Sequence, residues 1–332
     1  MTIYFATNRN PIGNPPTAFG TALGPFDGKA LRYGSAEVDL AAAKIVPGSL
    51  KVADEQLWWT PEGDAPVFGS AAVLEQLRAD MKDNGRPTFL SIHGFNYTFE
   101  EAIVRTAQTR AFYGLDANWF VFTWPSDGSM RRYHDDRRDV EKSGAAAARA
   151  LDTAARFLAR LRKQDRCGES IHLVAHSMGN YALRHAVQGL RAMYGDTLPR
   201  LFDKIFLFAA DEDADAFEYP DKLKLLPRLG RRVVVYHTTR DAALDISANT
   251  KGNPVRLGSE GPENTTPIAD NVSIVDVGAV VGDGRDVTNH QYYWRSPSVR
   301  ADVTAVLNDA AAHEIDGREP LPDPLRFRLV RT

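Results

Sequence analysis

The chain has 332 residues, 43% of them hydrophobic and 25% charged, with a formal net charge of −3. A chain of this length buries roughly three quarters of its unfolded surface, and its one cysteine, Cys167, excludes an internal disulfide. The slight acidic balance excludes a general attraction to nucleic acid or anionic membranes. No apolar run is long enough to span a bilayer, and Met1-Thr2-Ile3-Tyr4-Phe5 opens no signal-peptide pattern, so a cytoplasmic protein is expected.

Short β-like runs alternate with helical stretches, which predicts an α/β fold with a mostly parallel central sheet and helices on both faces. The first strand is expected at Ile3–Thr7. A glycine- and proline-rich stretch follows, then alternation over Glu37–Leu40 typical of an edge strand. Ser70–Asn84 reads as a helix, Pro87–Ile92 as a buried strand, Phe99–Phe112 as a helix, and Trp119–Trp124 as a strand stopped by Pro125. An alanine-rich helix is expected over Arg137–Lys163, with Ala150, Ala154, Phe157, Leu158 and Leu161 on one face. Ile171–Val174, Lys204–Phe208, Arg232–Tyr236 and Val272–Val277 read as further strands, Pro297–Leu307 as a final helix, and Arg326–Val330 as a closing strand. With no repeat and no low-complexity linker, one domain is expected over 1–332: N-terminal edge strands and loops over 1–80, a catalytic core over 85–310 and a C-terminal tail over 311–332.

Ligands of open parallel sheets bind at the carboxyl ends of the strands, so the residues just after each run matter most. Ala175-His176-Ser177-Met178-Gly179 joins a strand to a helix with a serine at the apex. It resembles the nucleophile elbow G-x-S-x-G, with Ala175 in place of the first glycine. A serine capping a helix gives the same local pattern. Other strand ends separate the two readings: His93-Gly94-Phe95, Trp124-Pro125-Ser126, Asp211-Glu212-Asp213, Thr238 to Asp241, and Asn289-His290 beyond the last parallel run. They supply acids and a histidine in the order Ser…Asp…His.

With these motifs the chain resembles α/β-hydrolases, and more narrowly a bacterial α/β-hydrolase family of unknown function. The resemblance rests on Ala6 to Arg9, His93 to Phe95, Phe122 to Gly128, Tyr133, Asp136, Arg137, Ser143, and Ala175 to Asn180, and covers residues 3 to about 308. It implies a serine hydrolase acting on a small carboxylic ester through an acyl-enzyme, with no cofactor and no metal. Acyl transfer, thioester or amide hydrolysis, and a silent binding module on the same fold are the alternatives.

On this reading Ser177 is the nucleophile and His290 the base, with His237 its competitor. Asp241 is the acid, and Asp211 the alternative. The oxyanion hole pairs the Phe95 and Met178 amides, with Gly94 letting the backbone approach substrate. Tyr97, Trp124 and Tyr292, with Phe95 and Tyr293, are expected to form an apolar substrate surface. His93 is expected to brace its loop, and His176 to point away from the apex. The acidic cluster from Asp211 to Asp215 is expected to repel anionic substrates, offset by Arg131, Arg132, Arg137 and Arg138. No H-E-x-x-H, cysteine pair or phosphate loop points to a metal or nucleotide, and oligomeric state stays open.

Overall fold

The computed structural model describes residues 1–53, 69–126, 133–160, 168–249, 254–282, 284 and 286–331. In chain order these form β1 (Thr2–Thr7), β2 (Arg9–Ile12), β3 (Ala18–Leu23), β4 (Arg32–Asp39), β5 (Lys44–Ile45), β6 (Lys51–Val52), α1 (Gly69–Asn84), β7 (Thr88–Ile92), α2 (Phe99–Tyr113) and β8 (Asn118–Thr123). Then come α3 (Tyr133–Arg160), β9 (Ile171–His176), α4 (Met178–Tyr194), β10 (Phe202–Phe208), α5 (Leu226–Leu229), β11 (Gly230–His237), α6 (Ala242–Asn249), α7 (Leu257–Glu260), β12 (Val272–Asp276), α8 (Pro297–Leu307), β13 (Arg318–Pro320) and β14 (Arg326–Leu329).

Among the described residues twelve strands form one sheet, ordered β13-β14-β12-β11-β10-β9-β7-β8-β1-β4-β5, with β6 also on β4. Neighbours from β14 to β1 pair in parallel, while β4 and β13 join antiparallel at the two sides. The central strands are buried on both faces, which is why they read as continuous apolar runs. Leu77, Met81, Val140, Ala147, Leu151, Leu183 and Leu190 of α1, α3 and α4 pack one face. Ile103, Ala107, Val299, Val303 and Val306 of α2 and α8 pack the other.

Local chemistry sets the helix ends. Thr98 and Glu101 form a capping box at the start of α2, and Gly114 closes it in the left-handed region. Ser296 caps α8 ahead of Pro297. The sheet departs from the sequence expectation mainly in the N-terminal part. β1 is not an edge strand but lies between β8 and β4. The strand expected at Glu37–Leu40 begins at Arg32, and the glycine- and proline-rich stretch holds the β2–β3 hairpin. The alanine-rich helix starts four residues early, at Tyr133, and Leu161 lies outside the described residues.

Small residues let α3 and α4 approach closely. A Cβ at Gly144 would lie 2.3 Å from His185 Cβ, and one at Gly189 2.4 Å from Ala148 Cβ. Overpacking here forces the helices apart, so Gly189→Val is expected to lower stability by about 1–3 kcal/mol, read by urea unfolding.

Candidate functional site

Ser177 stands where β9 turns into α4, at φ 54° and ψ −128°. That backbone region is sparsely used by residues with a Cβ. The turn is held by its neighbours. Ser177 N–H donates to Phe208 O of β10 (3.0 Å), and Ser177 O accepts from Asn180 N (3.0 Å) and Asp211 N (3.2 Å). Gly179 is required sterically, because a Cβ there would sit 2.4 Å from Ile92 O. Ser177→Gly removes the strained side chain without touching this frame, so it is expected to gain about 1 kcal/mol of stability in urea unfolding.

His290 follows Asn289, another positive-φ residue (φ 55°). Its Nδ1 lies 2.7 Å from Asp241 Oδ2. A carboxylate only accepts, so Nδ1 carries the proton and Nε2 keeps a lone pair. Asp241 is fully buried just after β11. Its Oδ1 accepts the Ala243 and Leu244 amides at 3.0 and 3.1 Å, capping α6 and fixing the carboxylate. Burial alone would depress His290, but Asp241 first, then Asp211 and Asp286, outweigh it and raise its pKa above the ordinary 6.5. Ser177 and His290 are only 5% and 8% exposed.

The alternative acid sits differently. Asp211 is tied to the Tyr133 hydroxyl and to Arg256, whose Nε is 3.2 Å from Oδ1. The competing base, His237, donates Nδ1–H to Ser259 O at 3.2 Å. The acidic cluster is charge-compensated: Arg184 pairs with Glu212 (2.9 Å), Arg256 with Asp213 (2.9 Å), and Lys222 with Asp213 (3.0 Å) and Asp215. Burial pushes Glu212 up to about 7 despite Arg184. Arg131, Arg132, Asp127 and Gly128 lie outside the described residues.

The loop from His93 to Tyr97 faces the elbow. A Cβ on Gly94 would lie 2.9 Å from Ser177 Cβ, so only glycine lets the two backbones come this close. Among the described residues the Phe95 and Met178 amides have no protein acceptor. His93 braces the loop. It lies parallel to Trp124 (5.0 Å between centroids), Nδ1–H reaches Gly94 O (2.6 Å), and burial pushes its pKa down to about 3.

Three aromatic expectations need correction, the first being Tyr293, which is buried against His176 and Phe208. Trp124 is fully buried and donates Nε1–H to His93 O at 3.1 Å. The Tyr292 hydroxyl accepts from Ala209 N (2.8 Å) and donates to Tyr236 O (2.9 Å). Both spend their polar tips inside the fold and offer no substrate surface, whereas Phe95 and Tyr97 remain partly exposed. His176 packs against the His290 ring (4.7 Å) and donates Nε2–H to His290 O (2.9 Å). Burial lowers its pKa well below the ordinary value, so it stays neutral.

The sequence reading gave no role to Arg9, Ser126 and Asp136, which lie buried behind the His93–Tyr97 loop. The signal was present, since all three belong to the stretches that carried the resemblance. Among the described residues no cluster of three or more His, Cys, Asp or Glu is placed to hold a metal ion, and no helix is long and apolar enough to cross a membrane.

No curated protein matches the chain. Among solved structures it is similar to Aspergillus fumigatus lipase B, at 12% identity and a TM-score of 0.41, over 77% of this chain and 62% of the lipase. It is also similar to Pyrococcus horikoshii acylaminoacyl peptidase, at 15% identity and a TM-score of 0.32, over 72% of this chain and 39% of the peptidase. The chain thus spans about three fifths of the one and two fifths of the other. Residues 70–308, which carry the elbow, the His93–Tyr97 loop, Asp241 and His290, match the family described as alpha/beta hydrolase of unknown function (DUF900), and the chain belongs to that family.

Proposed function

We propose that the protein is a serine hydrolase that cleaves small carboxylic esters through an acyl-enzyme. The observation that carries this reading is the 2.7 Å contact between His290 Nδ1 and Asp241 Oδ2. It joins two strand-end loops whose residues have no local reason to meet, and it leaves Nε2 able to accept a proton. Ser177 Oγ attacks the ester carbonyl carbon while His290 Nε2 takes its proton. The negative charge on the former carbonyl oxygen is met by the Phe95 and Met178 amides, which need no rearrangement to donate. Collapse expels the alcohol, which receives the proton from His290. Water then enters and its oxygen attacks the acyl carbon as His290 takes its proton; the bond to Ser177 Oγ breaks, His290 returns the proton to Oγ, and the acyl group leaves as a carboxylic acid.

Asp241 holds the imidazole in the required tautomer and stabilises the imidazolium. Asp211, bonded to Tyr133 and Arg256, shapes the neighbouring wall rather than serving as the acid. The substrate is a small-molecule ester, and the whole chain acts as one catalytic domain in the cytoplasm. Pre-steady-state hydrolysis of a p-nitrophenyl ester tests the acyl-enzyme. A p-nitrophenol burst stoichiometric with enzyme, with the acyl mass on the peptide containing Ser177, is expected. Turnover that persists at full rate in Ser177→Ala contradicts the reading.

A further inference from the structure

The loop between β7 and α2 must aim one amide at a point beside Ser177, yet it is irregular and contains a residue with positive φ, Asn96 (φ 66°). Such a loop holds one conformation only if its other polar groups are tied down. Ser126 Oγ accepts both the Asn96 amide (2.7 Å) and the Tyr97 amide (3.3 Å). Its own proton goes to Asp136 Oδ2. A hydroxyl has one donor and two acceptor sites, so the carboxylate fixes the rotor and turns both lone pairs toward the loop.

The carbonyl side is held by Arg9, which is only 1% exposed. Its Nη2 donates to Tyr97 O (2.7 Å), its Nη1 to Gly20 O (3.3 Å) and Ser126 O (3.4 Å), and its Nε to Thr123 Oγ1 (2.9 Å). Thr123 Oγ1 lies in turn 3.2 Å from His93 Nε2. One planar guanidinium therefore ties the far end of the loop, the end of β8 and the histidine at the loop's start into one unit. A lysine ammonium, a point charge with three donors, lacks this reach. A guanidinium and a carboxylate are costly to bury. Their placement behind one five-residue loop, rather than across the core, is what calls for a role.

We propose that Arg9, Ser126 and Asp136 are positioning residues that set the Phe95 amide for the oxyanion. The proposal rests on the ester-hydrolase reading for its catalytic consequence and on the hydrogen bonds alone for its structural one. Their hydrogen bonds run to Asn96, Tyr97 and, through Thr123, His93, so they act through the loop and leave the proton-transfer pair unchanged.

The test uses Ser126→Ala, which removes a single oxygen, and Arg9→Lys, which keeps the charge and loses the fork. Three quantities are read: kcat and KM for a p-nitrophenyl ester, the acid limb of the pH–rate profile, and amide hydrogen exchange over residues 94–97. For Ser126→Ala, kcat is expected to fall about 10- to 100-fold, since a misaimed donor loses part of the 10²–10³ that one such donor supplies. KM and the acid limb should stay put, while exchange at Asn96 and Tyr97 rises about tenfold or more as their acceptor is lost. Arg9→Lys should behave alike. A folded Ser126→Ala with unchanged kcat and unchanged exchange overturns the proposal. So does a variant that loses thermal stability while kcat and loop exchange hold, because that is a purely structural role. If the wild type hydrolyses no ester, the functional reading fails, and faster exchange confined to the loop in Ser126→Ala still decides whether the clamp exists.

Discussion

Asp241→Asn is expected to lower kcat for ester hydrolysis by about 10⁴ while leaving the protein folded. The reason is in the two sides of the carboxylate. Oδ1 accepts the Ala243 and Leu244 amides, so an asparagine must place its carbonyl oxygen there. Its NH₂ group then faces His290 Nδ1, which must become an acceptor. The imidazole proton moves to Nε2, and the base loses the lone pair that removes the proton from Ser177. The same variant also changes the pH profile. In the wild type His290 titrates above the ordinary 6.5. Activity requires it neutral, so the rate falls as pH drops through that raised value. Without the Asp241 charge the residual acid limb moves to lower pH. Asp211→Asn gives the contrast: a loss of stability of about 1–3 kcal/mol from weakening the Tyr133 and Arg256 ties, and a much smaller loss of kcat. If Asp211→Asn abolished turnover and Asp241→Asn did not, the acid would be reassigned.

Ser177→Ala is expected to have the largest effect on rate, on the order of 10⁶ in kcat, because removing the nucleophile costs as much as removing all three catalytic groups. Unfolding in urea should change little. Alanine at φ 54° carries the same backbone strain as serine, and the elbow's hydrogen bonds use only the main chain of residue 177. This separates chemistry from folding. A large loss of rate with an unchanged urea midpoint locates the effect at the hydroxyl.

The elbow was legible because its constraints are local. A serine needs small neighbours at this turn, and Gly179 pressed against Ile92 O gives that requirement a physical cause. The central strands were legible for a related reason, since burial on both faces leaves unbroken apolar runs. The preference for Asp241 over Asp211 came from the resemblance and not from spacing. They end or follow neighbouring strands, β10 and β11, and spacing along the chain does not say which carboxylate the His290 loop will meet. Trp124 and Tyr292 were misread because an aromatic ring near a strand end looks alike whether its polar tip faces substrate or, as here, backbone groups inside the fold. Nothing in the sequence marks His176 as a partner of His290, 114 residues away. His176 lies under His290 and holds that residue's carbonyl. Arg9 sits 117 residues before Ser126 in sequence, and only the fold brings it behind the same loop as Ser126 and Asp136.

The most direct test of the account is labelling of the folded protein with a fluorophosphonate probe followed by peptide mapping, since the probe reports an activated serine without requiring the natural substrate. The label is expected on the peptide containing Ser177, much slower in Asp241→Asn and absent in Ser177→Ala. A folded wild type that takes no label, or a Ser177→Ala protein labelled as fast as wild type, would contradict it.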